Sequence, residues 1–289
     1  MNTNEIIITI NINNHDMNKK IYYIYNIAKL NKNIEILQPN KFKNCEIKIE
    51  LNGSIINDYY SYYFIPEKEG KYTISLNFKE LITDCSYMFY NCEDIIKIDL
   101  SKFNSTKVIN MASMFHSCKK LNILNLEKFN TDNVYSMEET FSNCKNLEKI
   151  NISSFNTKNV KFMNLMFDNC KYLKEIIFPA EFNLENVENM GGIFYGCQNL
   201  ENIDFSRVIT KKIKNMSRMF YGCTYLNKII FGKDFDTKNV KTMEKMFYAC
   251  KYLEEINLTF FDFKNVKNLE DMFSGCENLK SIECVNILV

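Results

Sequence analysis

Eleven cysteines are the first residues in this chain that could do chemistry. A thiolate can bind zinc, pair in a disulfide or act as a nucleophile, and spacing and neighbouring bases decide which. Eight of the cysteines form a series: Cys92, Cys118, Cys144, Cys170, Cys197, Cys223, Cys250 and Cys276. They are spaced 26, 26, 26, 27, 26, 27 and 26 residues apart. No pair has the close two-residue spacing of a zinc knuckle. The two histidines, His15 and His116, stand in separate regions, and the positions matching His116 hold Ser142, Asp168 and Tyr195. Catalysis needs a base, an orienting group and often a nucleophile converging on one pocket. No histidine-based dyad is apparent, the eight glycines make no phosphate loop, and the carboxylates are scattered. Gly191-Gly192 lies inside a repeat, where it is expected to kink the chain. The expectation is a non-enzymatic protein with no metal and no cofactor.

The cysteines read instead as slots in a repeat. Each follows a phenylalanine by three: Phe89, Phe115, Phe141, Phe167, Phe194, Phe220, Phe247 and Phe273. One copy reads Phe-Asn-Thr-x-Asn-Val-x-x-Met-x-x-Met-Phe-x-x-Cys-x-x-Leu-x-x-Ile-x-Leu. Cys85 stands where other copies have Met111, Met163 or Met243, and Cys284 where others have Leu126, Ile152 or Leu258. Exchange with Met and Leu marks these as small buried hydrophobes. Buried thiols in odd number fit a reducing compartment. Only Cys45 lies outside the pattern.

The elements that position these slots follow from periodicity. Val134, Met137, Phe141 and Cys144 recur at three or four residues, which predicts a helical stripe capped by Asn130 or Thr131. Ile150 and Ile152 alternate with polar residues, as a short strand does. A unit this short cannot bury its own apolar face, so copies must stack. The expected fold is an α/β solenoid of the leucine-rich-repeat type, with eight repeats of about 26 residues and a parallel concave sheet. The two 27-residue spacings come from one extra residue between strand and helix, in Phe178–Phe182 and Phe231–Phe235.

The first copy runs Met88-Phe89-Tyr90-Asn91-Cys92, then Ile98-Asp99-Leu100-Ser101-Lys102-Phe103-Asn104. With its successors over about Ile82 to Ile282, it resembles the BspA-like leucine-rich-repeat surface-protein family. That resemblance implies a solenoid fold and adhesion or protein recognition at a surface, with no shared chemistry.

Residues 1–78 lack the repeat. They alternate in short runs, with Asn52-Gly53 as a two-residue hairpin signal, Pro66–Gly70 as another turn and a tyrosine cluster at Tyr59, Tyr60, Tyr62 and Tyr63. The cluster reads as buried strand residues before a binding patch. This region is expected to be a β-rich domain capping the solenoid of residues 79–289. At the far end, Val285–Val289 either folds over the last copy or leaves it open for self-association.

Net charge is +1, with only Arg207 and Arg218 as arginines, so a nucleic acid partner is not expected. No 18-residue apolar stretch spans a membrane and the start has no signal-peptide pattern. A cytoplasmic location is expected from the sequence, a cell surface from the resemblance. The inward sheet of a curved repeat protein is its usual recognition surface. Its central outward ladder is Asp99, Asn125, Asn151, Ile177, Asp204, Ile230, Asn257 and Glu283. Beside it runs Lys97, Ile123, Lys149, Glu175, Asn202, Lys228, Glu255 and Ser281. The function expected is a protein-protein interaction module using these positions; the alternative is an adhesin or antigen.

Overall fold

The computed structural model describes residues 4–24, 44–57 and 59–285. Among them the chain forms a β-solenoid whose turns, called rungs below, repeat at the 26- or 27-residue spacing of the cysteines. The strands are β1 (Glu5–Ile12), β2 (Ile21–Tyr22), β3 (Cys45–Leu51), β4 (Ser54–Ile56), β5 (Tyr63–Phe64), β6 (Gly70–Phe78) and β7 (Ile95–Lys102). They continue as β8 (Ile123–Asn125), β9 (Lys149–Asn151), β10 (Glu175–Ile177), β11 (Asn183–Leu184) and β12 (Asn202–Phe205). The last are β13 (Ile209–Thr210), β14 (Lys228–Phe231), β15 (Glu255–Leu258) and β16 (Ser281–Cys284).

The strands of successive rungs lie parallel and in register. Lys97 faces Ile123, Lys149 faces Glu175, Asn202 faces Lys228, and Glu255 faces Ser281. These pairs are separate two-strand ladders rather than one unbroken sheet, apart from β7 and β8. The unbroken ladder lies elsewhere in the rung. Single parallel bridges join Asp84, Asn110, Ser136, Phe162, Asn189, Asn215, Thr242 and Asn268 in sequence.

The expected helix is not a helix. Among the described residues the only helical turn is a short 3-10 segment at Asn14–Asp16. The stretch around each Met-Phe-x-x-Cys alternates two kinds of hydrogen bond. In the first rung Cys85, Tyr87, Phe89 and Asn91 donate their amides to the carbonyls of Asn110, Ala112, Met114 and His116 on the next rung. Between them, Met88, Tyr90 and Cys92 donate to carbonyls three residues back. Each residue that reaches across behaves as in a strand, and each that reaches back closes a tight turn. The chain manages this with two left-handed residues per rung, four apart, such as Glu139 (φ 51°) and Asn143 (φ 59°). Turns closing every few residues send side chains inward at nearly helical spacing, which is why the sequence pattern suggested a helix. Gly192 (φ 61°) is one of these left-handed positions, equivalent to Leu165 and Arg218, so it kinks nothing.

The polar letters of the repeat hold the rungs together. In Phe-Asn-Thr-x-Asn, the first Asn turns the chain: Asn156 Oδ1 accepts the amide of Lys158 at 3.1 Å. The Thr is buried and reaches the next rung, as Thr157 Oγ1 donates to the Asn183 carbonyl at 2.6 Å. The second Asn reaches the previous rung, as Asn159 donates to the Asp132 carbonyl at 2.7 Å. Inside, phenylalanines stack ring on ring; Phe115 and Phe141 lie 5.5 Å apart with planes 4° from parallel. The ladder cysteines are free, and from Cys118 to Cys276 each thiol reaches back a rung; Cys144 Sγ donates to the Phe115 carbonyl at 3.1 Å.

The N-terminal strands join the solenoid through β1. It pairs antiparallel with β6 on one side and with β7, the first rung strand, on the other. Asn52 and Gly53, both at positive φ, form the expected hairpin turn between β3 and β4. Tyr60 stacks on Tyr63 at 4.5 Å and is half exposed, whereas Tyr59 donates its hydroxyl to the Ile47 carbonyl. At the other end Ile282 is 40% exposed, although its equivalents Ile98, Ile150 and Ile256 are buried. Residues 286–289, expected to fold over that end, lie outside the described residues.

Candidate functional site

A binding surface on a solenoid must be made of residues that the stacking does not use. The central ladder of the sheet face divides on this point. Asp99, Asn125, Asn151, Asp204 and Asn257 each lie at or near the end of a strand and accept the amide two residues on, at 2.8–3.1 Å. These are Asx turns, a local bond that short polar side chains make to their own backbone. Their side chains also link rungs: Asn125 donates to Asp99 at 3.1 Å, and Asn257 to Glu283. The hydroxyl and amide of Ser206 hold the Asp204 carboxyl below its usual range. Lysine at Asn125 or Asn151 would remove these turn bonds and so cost stability as well as change the surface.

Ile177 and Ile230 stand in the same ladder without a turn bond to make. Both precede the one-residue insertions, Phe178–Phe182 and Phe231–Phe235, so an added residue accompanies the lost Asx turn. Ile230 is 37% exposed and Ile123, in the adjacent ladder, 53%. Lys149 and Glu175 pair across rungs at 2.8 Å, both half exposed, a contact worth about 0–1 kcal/mol in solvent. Along the bend that leads into the strands, Tyr172, Tyr225 and Tyr252 are exposed, and Tyr225 stacks on Tyr252 at 5.2 Å. The sheet face and this bend therefore expose apolar and aromatic side chains, with Tyr225 and Tyr252 stacked from rung to rung.

The opposite, turn face holds a second variable column that sequence periodicity did not single out. It runs Tyr90, His116, Ser142, Asp168, Tyr195, Tyr221, Tyr248 and Ser274, two residues before each ladder cysteine. Tyr195, Tyr221 and Tyr248 stack at 4.6 and 4.7 Å with planes 5° apart. His116 stacks on Tyr90 at 4.7 Å, and its Nδ1 lies 3.3 Å from Glu139 Oε2, short of hydrogen-bond alignment. The imidazole, with the Ser113 hydroxyl beyond it, holds the Glu139 carboxyl below the usual range. Burial pushes the Asp168 carboxyl up against the pull of the Ser142 hydroxyl, which donates to it at 2.9 Å. The available signal was variability itself: from Tyr90 to Tyr195 this column changes residue type at every rung while the phenylalanine before it repeats.

The central ladder thiols, Cys118 to Cys250, are buried away from both faces. Burial pushes Cys144 up to about 12 and the other central ladder thiols well above their ordinary value. Among the described residues no group of three or more His, Cys, Asp or Glu could hold a metal ion. No helix among them is long and apolar enough to cross a membrane.

A family model described as "Mycoplasma protein of unknown function, DUF285" matches residues 83–208 and 193–286. No curated protein matches the chain. Among solved structures, an internalin from Listeria monocytogenes is 12% identical over 63% of this chain and 48% of its own, with a TM-score of 0.29. A TLR13–ssRNA13 complex is 16% identical over 61% of this chain and 31% of its own, with a TM-score of 0.23. This chain thus spans about half of the first and a third of the second.

Proposed function

The chain belongs to this DUF285 family, whose description assigns no activity, and from that premise we propose that it is a non-enzymatic protein-interaction module reading its partner with the sheet face. The observation that carries this reading is the division of labour within each rung. Recurring polar residues are spent on Asx turns and rung-to-rung bonds, while Ile123, Ile230 and Tyr172 stand exposed without such a role, and Tyr225 and Tyr252 expose the stacked pair they form. Exposed Tyr and apolar side chains on a rigid scaffold are what protein interfaces use as anchors. Among the eight ladder positions proposed as contacts, Ile177 and Ile230 contribute surface, and Asp99, Asn125, Asn151, Asp204, Asn257 and Glu283 contribute polar edges shared with the fold. The β-rich residues 1–78 act in this reading as a cap for the first rung.

The test is affinity capture from the native cell lysate with quantitative mass spectrometry, comparing wild type with an Ile123→Lys/Ile230→Lys variant. Neither side chain makes a turn bond, so the urea midpoint should move little. A partner held by wild type and lost by the variant supports the sheet-face reading. A partner held equally by both refutes it and sends the search to residues 1–78 or to self-association through the exposed Ile282 rung. Ligands found only outside the cell would favour an adhesin.

A further inference from the structure

The turn face is regular except where two adjacent glycines interrupt it. The position of Gly191 holds Glu138, Asn164, Ser217 and Glu244 in other rungs, and that of Gly192 holds Glu139, Leu165, Arg218 and Lys245. Loss of both side chains opens a shallow notch of about 340 Å³ between the rungs of Asp168 and Arg218. At position 191 φ is not positive, and glycine there lets the Asn215 carboxamide pack closer than a Cβ would allow, 2.9 Å from where one would stand.

The groups around the notch are polar and of mixed sign. Asn189 and Asn215 spend their carbonyl oxygens on Asx turns to Gly191 and Ser217, at 3.0 and 2.9 Å, which leaves both amide NH2 groups as donors. The Asn215 amide nitrogen would lie 2.9 Å from a Cβ at residue 191, so it borders the space the glycine leaves. Asn164 donates its NH2 to Glu138 at 2.7 Å, which leaves its carbonyl oxygen as an acceptor. Asp168 adds a half-buried carboxylate. The guanidinium of Arg218 is committed to Glu244 at 3.0 Å and neutralised by it. Tyr195 ends the tyrosine stack: Tyr221 covers one ring face, and on the other side the column continues with Asp168, which has no ring.

We propose that this notch binds a neutral saccharide. Donors and acceptors alternate around a small space, next to a carboxylate and the end ring of the tyrosine stack. Vicinal hydroxyls both donate and accept, so a sugar can satisfy Asn189, Asn215, Asn164 and Asp168 together. Its C–H face packs on Tyr195, an amphipathic ring suited to a ligand that is apolar on one side and wet on the other. An anionic ligand would meet the Asp168 carboxylate with no free cation to offset it, and an apolar ligand would strand the amides. A peptide could use the amides, but its apolar side chains would find the same lack of partners.

The test uses a printed array of neutral mono- and oligosaccharides built from hexoses and N-acetylhexosamines, followed by titration calorimetry with the best sugar found. The notch is filled by Gly191→Glu with Gly192→Lys, the residues that Glu244 and Lys245 supply at the same places two rungs on. A second variant, Tyr195→Ser, removes the ring and copies Ser142 and Ser274; it keeps the test valid if the filled variant fails to fold. Wild type should hold at least one neutral glycan, and each folded variant should weaken it about tenfold or more, while Ile230→Lys on the sheet face leaves it unchanged. The proposal is overturned if wild type holds no glycan, holds only acidic ones, or holds neutral glycans that both variants retain. It is equally overturned if a peptide array, and no sugar, loses its binding when the notch is filled.

Discussion

Replacing Gly222 with alanine should destabilise the protein, and the sign of that effect separates the turn geometry from a helix. Gly222 sits at φ 69°, one of the two left-handed positions of its rung. A Cβ built there finds ample room, the nearest atom being the Gly196 Cα at 3.8 Å. Steric overlap with neighbours therefore contributes nothing, and only the backbone conformation counts. An L-residue in the left-handed region costs about 1–2 kcal/mol. Losing glycine's freedom in the unfolded chain offsets about 0.4–1 kcal/mol of that. The net destabilisation is about 0.5–1 kcal/mol, and for a urea slope of about 3 kcal/mol/M the midpoint falls by about 0.2–0.3 M. In an α-helix the same change would stabilise by about 1 kcal/mol. Ala249 already occupies this position one rung on at φ 57°, so the variant should fold. The assay is urea unfolding followed by far-UV circular dichroism, with the slope checked for constancy. A midpoint that rises at constant slope would refute the left-handed turn and restore the helix.

Thr157→Val keeps the side-chain shape but removes the 2.6 Å bond to the Asn183 backbone carbonyl on the next rung. It should cost about 1–2 kcal/mol in the same unfolding assay, because a buried acceptor loses its partner. Glu139 has its carboxyl held below the ordinary 4.5 by His116. Its stabilising contribution is therefore complete above 4.5 and lost as pH falls through the lowered value. Glu139→Gln should lower the urea midpoint at neutral pH and cease to matter in acid; an equal effect at both would contradict the pairing. Thiol labelling with iodoacetamide at about pH 8, read by peptide mass spectrometry, should spare Cys118 through Cys250 until the chain is unfolded. Labelling of Cys144 in the native protein would contradict its burial and its rise to about 12.

The repeat was legible because its core slots are chemically narrow. Phe and Cys recur in phase, and the structure stacks them ring on ring and thiol on carbonyl. The Asn52-Gly53 hairpin was legible because only such residues accept two positive φ angles in succession. The tight turns were not, since a turn closing every few residues and a helix place apolar side chains at nearly the same spacing. A finer signal was present: the residue before each ladder cysteine is Asn91, Asn143, Asn169, Gly196, Gly222 or Gly275 in six rungs, the types that tolerate left-handed backbone. On the sheet face, alternation correctly marked which residues point outward. It could not show that Asn151 is bonded to its own chain, because an Asn that turns a strand and an Asn that awaits a partner look alike. The contrast with Ile177 and Ile230, each followed by an inserted residue, is where that difference surfaces in the sequence.

The stitching between rungs has a consequence for how such a gene can change. The amide, threonine and asparagine bonds that join rungs reach only the neighbour before or after. A rung therefore makes the same demands wherever it sits in the stack. An in-frame duplication or deletion of one unit leaves every internal junction chemically equivalent to the one it replaced. Gain or loss of whole units would lengthen or shorten the surface in steps of one rung. What such an event would move is the relative placement of outward residues such as Ile123 and Ile230, so the selectable product is the spacing of contacts.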